Sequence, residues 1–292
     1  MHDIHRYRVG EATVTRITEQ VLAVPAAYLY PQWEAALARD NAHWLGPEHV
    51  SADLQTLTLS IHSWLVQVGG KTLLIDTASG NHKHRPLNPV FHQLDTPYLA
   101  RLKAAGVSPQ DIDLVLITHL HVDHVGWNTH LHEGRWVPTF PNAKYLFSRT
   151  EYDFYGNPAN VQDPSAGVFE DSVQPIVDAG LARWFEDDIH GLLPGLAVHK
   201  TKGHSHDHLS FSLQSRGQYG LFSGDVMHHP IQIARPQWNS VFCEFLDDAQ
   251  QSRRWALDFA VAHQAMFFSS HFADTSVGVI ERTGEQFHWL RR

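Results

Sequence analysis

Residues 118–124 read Thr-His-Leu-His-Val-Asp-His, so three imidazoles and one carboxylate fall within six consecutive positions, His119 to His124. They follow directly on Leu114-Val115-Leu116-Ile117, a short apolar run of the kind that forms a buried strand. Four polar side chains at the end of a buried strand have no packing role, and groups of this kind are kept inside a protein only with partners. A strand would send them alternately to two faces, and one helix face would gather only every third or fourth residue. A loop can aim all four at one point. Imidazole and carboxylate are ligands that Zn²⁺ and its first-row neighbours accept. His119 and His121 can therefore serve one ion, and Asp123 and His124 a second. The chain holds 23 His, so the weight rests on the four-ligand series and not on any isolated pair. His2, His5, His130, His132 and His288 read as solvated or terminal.

The rest of the composition narrows the class. A length of 292 residues is enough for one large domain with a well-buried core. Apolar content of 43% and charged content of 18% belong to a water-soluble globular protein. The net charge of −9, with no Lys/Arg-rich block, argues against nucleic acid as a partner. With Cys243 as the one cysteine, no disulfide forms within the chain and Cys-based zinc sites are excluded. Cys243 reads as a small buried residue. No apolar run approaches a membrane span, and the first eight residues lack a signal-peptide core, so the expectation is a cytoplasmic protein with no membrane partner.

The pattern predicts strands over Thr13–Glu19, Leu54–Val68, Lys71–Asp76, Lys144–Ser148, Leu196–Lys200, Leu209–Leu213, Tyr219–Ser223 and Ala265–Phe268, besides the run before the ligand loop. Helical spacing marks Gln32–Arg39, Tyr98–Ala105, Glu151–Tyr155, Phe169–Ala179 and Asp248–Ala262. The loop Thr77–Pro97, rich in Pro, His and Asn, could border a pocket. The aromatic segment from about residue 20 to 50, with Tyr28, Tyr30, Trp33 and Trp44, either covers a core edge or forms a lid or dimer contact. No repeat or linker divides the chain, so a single α/β domain over residues 1–292 is expected.

Three later residues share the setting of the first cluster, a polar side chain beside Gly or Ser at a strand edge. They are His204 in Lys202-Gly203-His204, Asp225 in Ser223-Gly224-Asp225, and His271 in Ser269-Ser270-His271. With these in hand, the chain resembles the metallo-β-lactamase superfamily of hydrolases. The ordered series is H-x-H-x-D-H, Gly-His, Gly-Asp and a final His, over about Leu57 to His271. The resemblance implies a four-layer αβ/βα sandwich, two mixed β-sheets flanked by helices, with a two-metal site at one edge. It places His119, His121 and His204 on one ion, Asp123, His124 and His271 on the other, and Asp225 on both. Zinc suits these ligands, with Mn, Co or Fe as competitors.

The chemistry such a site implies is hydrolysis. Two divalent ions about 3.5–4 Å apart share one water, whose pKa falls from about 16 towards roughly 7. The resulting hydroxide attacks a carbonyl or phosphorus, and Asp123 orients it or relays a proton to the leaving group. Within the superfamily, His-Val-Asp-His-Val-Gly-Trp, the Phe140–Tyr145 strand entry and Ser223–Pro230 are most similar to the group of N-acyl homoserine lactone lactonases and methyl parathion hydrolase-like enzymes. That similarity implies a lactone or related ester as substrate, and a homodimer. Alternatives are an organophosphate or aryl ester hydrolase, a glyoxalase II-like thioesterase, and a non-catalytic metal-binding protein. Glyoxalase II-like enzymes share all seven ligands but usually carry a basic C-terminal region, where this tail holds only Arg282, Arg291 and Arg292. Many lactonases of the group place a Tyr three residues after the bridging Asp, where its hydroxyl meets the substrate carbonyl. This chain has His228 there, which either donates the same hydrogen bond or merely neighbours the ligands. Phe91, Trp127, Trp136, Met227 and Trp238 lie near ligand-bearing loops in sequence and are candidates for a pocket wall, with core packing as the competing role. Asp76 either orients a ligand His or caps a turn. His206 and His208 read as neighbours of His204 and not as ligands.

Overall fold

The computed structural model describes residues 5–185 and 193–292; His2 lies outside them. In chain order its strands are β1 (Arg6–Val9), β2 (Ala12–Pro25), β3 (Thr56–Val68), β4 (Lys71–Ile75), β5 (Leu114–Leu116), β6 (Thr129–His132), β7 (Arg135–Pro138), β8 (Lys144–Phe147), β9 (Ala182–Trp184), β10 (Leu196–Lys200), β11 (Leu209–Ser215), β12 (Gln218–Phe222), β13 (Met266–Phe268), β14 (Val277–Thr283) and β15 (Gln286–Arg291). One sheet runs β1-β2-β3-β4-β5-β8-β9, a second runs β10 to β15 in order, and β6 pairs with β7 alone. Both large sheets are mixed: β4, β5, β8 and β9 are parallel neighbours in the first, and β12 and β13 in the second. The fold is α/β, with helices accompanying both sheets.

The chain forms two compact units, Met1–Gln20 with Ile61–Pro194, and Val21–Ser60 with Gly195–Arg292. In the first, Leu114, Val115 and Leu116 of β5 are all buried, as a parallel strand covered on both faces requires. Its C-terminal end delivers the chain to His119. The loop after β4 is pinned by ionic contacts. Arg85 makes a bidentate pair with Asp171 at 2.7 Å, and the fully buried Lys83 donates to Thr129 Oγ1 at 2.6 Å and lies over the Trp136 ring. The helical pattern at Phe169–Ala179 resolves into a π-turn, Phe169–Val173, and an α-helical turn, Gln174–Asp178. Pro175 has no N–H to give to the Asp171 carbonyl four residues earlier. That carbonyl instead accepts from Lys83 Nζ and from the Thr129 hydroxyl.

In the second unit the helix Leu246–His263 packs Ala256, Leu257 and Ala260 against Leu221, Phe267 and Ile280. Residues 21–60 form a further apolar cluster in which Tyr30 is buried with Leu29, Leu57 and Trp238, and Trp33 is half-buried against it. Tyr28 turns outward and is 59% exposed. The helix expected over Gln32–Arg39 begins later, at Ala35. Strands β1, β6, β7, β9, β14 and β15 are additional to the sequence-based expectations.

Candidate metal centre

In the first unit, the loop after β5 holds His119 and His124 buried, with His121 and Asp123 half-buried. The ring centroids of His119 lie 4.6 Å from His121 and 4.0 Å from His124, so the expected cluster is gathered here. Asp76, at the end of β4, organises it. One carboxylate oxygen accepts the Thr118 N–H at 2.8 Å; the other accepts the Thr118 hydroxyl at 2.8 Å and His124 Nδ1–H at 2.9 Å. Thr118 gives its one hydroxyl proton to Asp76, so its 2.9 Å contact with His119 Nδ1 must be filled by a proton on His119. Both rings thus carry their proton on Nδ1 and present the Nε2 lone pair, the form a metal takes. Asp123 Oδ1 stands 3.7 Å from His124 Nε2. Asp76 therefore fills both roles weighed for it, orienting a histidine and tying the turn.

In the second unit, one carboxylate oxygen is the centre. Nε2 of His271, His204 and His228 lie 2.9, 3.3 and 3.4 Å from Asp225 Oδ2. The ligand atoms of His204, Asp225 and His228 all fall within 4.8 Å of one another. His271 Nδ1 donates to the Ser60 carbonyl at 3.0 Å, and a carbonyl can only accept, so the ring proton is on Nδ1. Its Nε2 lone pair then faces a carboxylate oxygen at 2.9 Å. Two lone pairs at that distance repel unless a second proton or a metal cation shares the space. All-nitrogen-and-oxygen donors converging in this way fit a divalent ion such as zinc.

Local backbone explains the placement. Gly203, with φ +123°, lies against the first turn of the helix Leu246–His263, and a Cβ there would sit 2.0 Å from the Ala249 nitrogen. The carbonyls of Gly203 and His204 accept from Phe245 N–H at 2.8 Å and Glu244 N–H at 3.1 Å, which fixes the approach of His204. His208 accepts the Asp225 N–H on Nε2 at 2.9 Å and meets Thr201 Oγ1 through Nδ1 at 2.8 Å, so it supports Asp225 with both nitrogens. His206 is half-buried beside Phe245. His228 is buried, with Nδ1 3.2 Å from Ser240 Oγ and its ring stacked 5.5 Å from that of His271. Burial pushes its pKa down, against the opposing pull of Asp225.

A family model described as the Metallo-beta-lactamase superfamily matches residues 57–271. The chain belongs to this superfamily. Curated relatives include the N-acyl homoserine lactonase AttM of Azorhizobium caulinodans, 34% identical over 70 residues, 24% of this chain and 23% of that protein. The AttM of Agrobacterium fabrum is 29% identical over 183 residues, 60% of this chain and 63% of its own. The chain therefore spans less than two thirds of the length of the curated relatives it matches. Two solved structures share the fold over almost the whole chain. AidC, a dizinc quorum-quenching lactonase in complex with a product N-hexanoyl-L-homoserine, superposes with a TM-score of 0.79 at 21% identity, covering 99% of this chain and 97% of that one. The hydrolase AbOPH of the beta lactamase superfamily superposes with a TM-score of 0.80 at 21% identity and the same coverage.

Each unit gathers one cluster of candidate ligands, while the aromatic and Met residues put forward for a pocket wall pack as follows. Met227 is fully buried in the apolar cluster under the helix Leu246–His263, and Trp238 packs with Tyr30 and Trp33. Trp127 stacks on Tyr98 and donates its indole N–H to Glu19 at 2.7 Å, Trp136 covers Lys83, and Phe91 is buried in a short turn. Cys243 is buried, 3.6 Å from Ser240 Oγ, and burial pushes its thiol pKa up. Sequence reasoning missed Glu19, Ser60, Thr118 and Ser240. Only Glu19 left a signal: it shares the inward phase of β2 with Ile17, an odd place for a charge. Phe242 was also missed. Its ring lies 5.6 Å from that of His228 and 6.3 Å from that of Tyr28, and it remains 38% exposed.

Among the described residues, no helix is long and apolar enough to cross a membrane.

Proposed function

We propose that the chain is a dinuclear metal-dependent hydrolase that opens a lactone or cleaves a related ester. His119, His121 and His204 would hold one ion, Asp123, His124 and His271 the other, and Asp225 both, with zinc as the ion best suited to the donors. The observation that carries this reading is the convergence of the Nε2 atoms of His204 and His271 on Asp225 Oδ2, with His271 protonated on the far side of its ring. Membership of the superfamily and the similarity to N-acyl homoserine lactonases support it. Bound there, the ions supply Lewis acidity and an ionised water at neutral pH.

The side chains supply the rest. Asp76, Ser60 and Thr118 hold ligand rings in the tautomer that offers Nε2. Asp123, half-buried beside His124, orients the nucleophile and passes a proton to the leaving alkoxide. His228 is kept neutral by burial, and with Ser240 Oγ donating to Nδ1 it presents Nε2–H to the substrate carbonyl oxygen. Phe242 beside His228, with Tyr28 against it, offers exposed apolar surface suited to an acyl chain or aryl group.

The test is metal analysis of the purified protein coupled to turnover of acyl lactones, p-nitrophenyl esters and a phosphotriester. Lactone turnover with about two ions per chain is the expected result, and Asp225→Ala should lose both. Phosphotriester turnover without lactone turnover would favour the organophosphate reading. Full activity in Asp225→Ala would remove the mechanism.

A further inference from the structure

A second carboxylate, remote from the ligands in sequence, grips the backbone on which the His119–His124 loop rests. Glu19 on β2 is 2% exposed. Its Oε2 accepts the Ser79 N–H at 2.8 Å, and its Oε1 accepts Trp127 Nε1–H at 2.7 Å and the Gly80 N–H at 3.1 Å; the Thr96 hydroxyl, 3.3 Å from Oε1, shares its one proton with Asn81 Oδ1 at 3.1 Å. These are three N–H donors on one buried carboxylate, drawn from the segment after β4 and from the segment after His124, and they oppose the burial that pushes its pKa up.

Those two segments are themselves laced together. Thr77 N–H donates to the His124 carbonyl at 2.7 Å, Gly126 N–H to the Ala78 carbonyl at 2.7 Å, and Trp127 N–H to the Thr77 carbonyl at 2.8 Å. The backbones touch so closely that a Cβ on Gly126 would sit 1.8 Å from the Ser79 oxygen. The stretch is also strained. Asp76 and Ala78 both hold positive φ, 56° and 47°. Left-handed conformations in residues with side chains are unfavourable and persist only where surrounding contacts impose them. Glu19 supplies such contacts at Ser79 and Gly80, just beyond the strained pair, and at Trp127, three residues past His124.

We propose that Glu19 is a positioning residue for the metal centre. It clamps residues 79–80 and the Trp127 indole so that Asp76 and the 119–124 loop keep the geometry that aims His119 and His124 at the ions. The inference rests on the dinuclear reading above. It assigns a role to a side chain that touches none of the proposed ligands.

The test compares wild type, Glu19→Gln and Glu19→Ala. The Gln amide keeps one oxygen for Trp127, Gly80 and Thr96 but sets an NH₂ against the Ser79 N–H, so the clamp is weakened while side-chain volume is kept. Three quantities are read: zinc affinity by competition with a chromogenic chelator, the visible spectrum of the cobalt-substituted protein, and the melting temperature of the metal-free protein. Supporting residues around metal ligands are worth about 10- to 100-fold in affinity. Glu19→Gln should therefore bind zinc about tenfold more weakly and shift the cobalt bands, and Glu19→Ala should do so more strongly. A Glu19→Gln protein with wild-type zinc affinity and cobalt spectrum overturns the proposal, even if it melts lower, because that pattern is stability alone. A wild type that takes up no zinc overturns the metal centre itself, and the role of Glu19 with it.

Discussion

Asp76→Asn tests how the metal ligands are held, and the structure sets its size. The substitution keeps shape and removes charge. It also keeps the backbone, because Asn tolerates the left-handed conformation in which Asp76 sits, φ 56°. With the amide oxygen in the Oδ1 position, the Thr118 N–H keeps its acceptor. The amide NH₂ then occupies the Oδ2 position, where it meets two donors, the Thr118 hydroxyl and His124 Nδ1–H. Thr118 can adapt only by turning its hydroxyl proton to His119 Nδ1, which moves the His119 proton to Nε2, the atom needed for the ion. His124 loses its acceptor and the orientation that came with it. Flipping the amide rescues both rings but sets the NH₂ against the Thr118 N–H, a buried mismatch costing about 1–3 kcal/mol. Either way a cost falls on the metal-binding form. Loss of one such support weakens metal binding about 10- to 100-fold, or about 1.4–2.7 kcal/mol, and two affected rings place Asp76→Asn at the upper end. The assay is zinc affinity by chelator competition, with melting curves in the presence and absence of zinc. The stabilisation by zinc should shrink in step with affinity. Zinc affinity within about twofold of wild type would show that Asp76 does not set the tautomers, and the account of the first cluster would be wrong.

Other perturbations probe separate parts of the argument. His49 and His229 are buried, and burial pushes their pKa values from 6.5 down to about 4 and about 3. The folded state then binds fewer protons than the unfolded one below the ordinary value, so stability is full above pH about 6.5 and declines as pH falls towards about 4 and below. His49→Leu, which removes two buried ring nitrogens that lack hydrogen-bond partners, should hold its melting temperature at neutral pH and flatten the acid limb; an unchanged limb would clear His49 of the effect. Gly203→Ala drives a Cβ into the Ala249 nitrogen at a left-handed position and should cost about 2–4 kcal/mol, read as a lower denaturation midpoint; a neutral result would mean that the helix can recede from His204. Phe242→Ala should reduce kcat/KM for long-acyl lactones by about tenfold while sparing short ones, from the loss of about 1–2 kcal/mol of apolar contact, and an equal effect across chain lengths would separate Phe242 from substrate recognition.

Much of the fold was legible because apolar periodicity is local. The buried runs at β4, β5 and β8 and the helix Leu246–His263 are marked by residues adjacent in sequence. The strands that escaped detection depend on partners. Strands β14 and β15 pair Val279 with Leu290 and Ile280 with Trp289; β14 carries no clean alternation, and β15 alternates only over the four residues Gln286 to Trp289. The π-turn at Phe169–Val173 likewise depends on Lys83 and Thr129, some forty residues or more away, taking up the carbonyl that Pro175 leaves unused.

By itself, the order of residues determined which side chains could be ligands. Imidazoles and carboxylates beside Gly and Ser at strand ends form a pattern that needs no coordinates, since donor chemistry belongs to the residue type. Tertiary structure alone decided how those groups are held. A histidine's tautomer depends on what its other nitrogen meets, and His124 and His271 meet Asp76 and the Ser60 carbonyl, 48 and 211 positions distant in the chain. The same holds for the aromatic residues. Trp238 and Met227 were set beside ligands by sequence and into apolar clusters by folding, while Phe242 reached His228, because burial is fixed by the whole packing and proximity in sequence only bounds it.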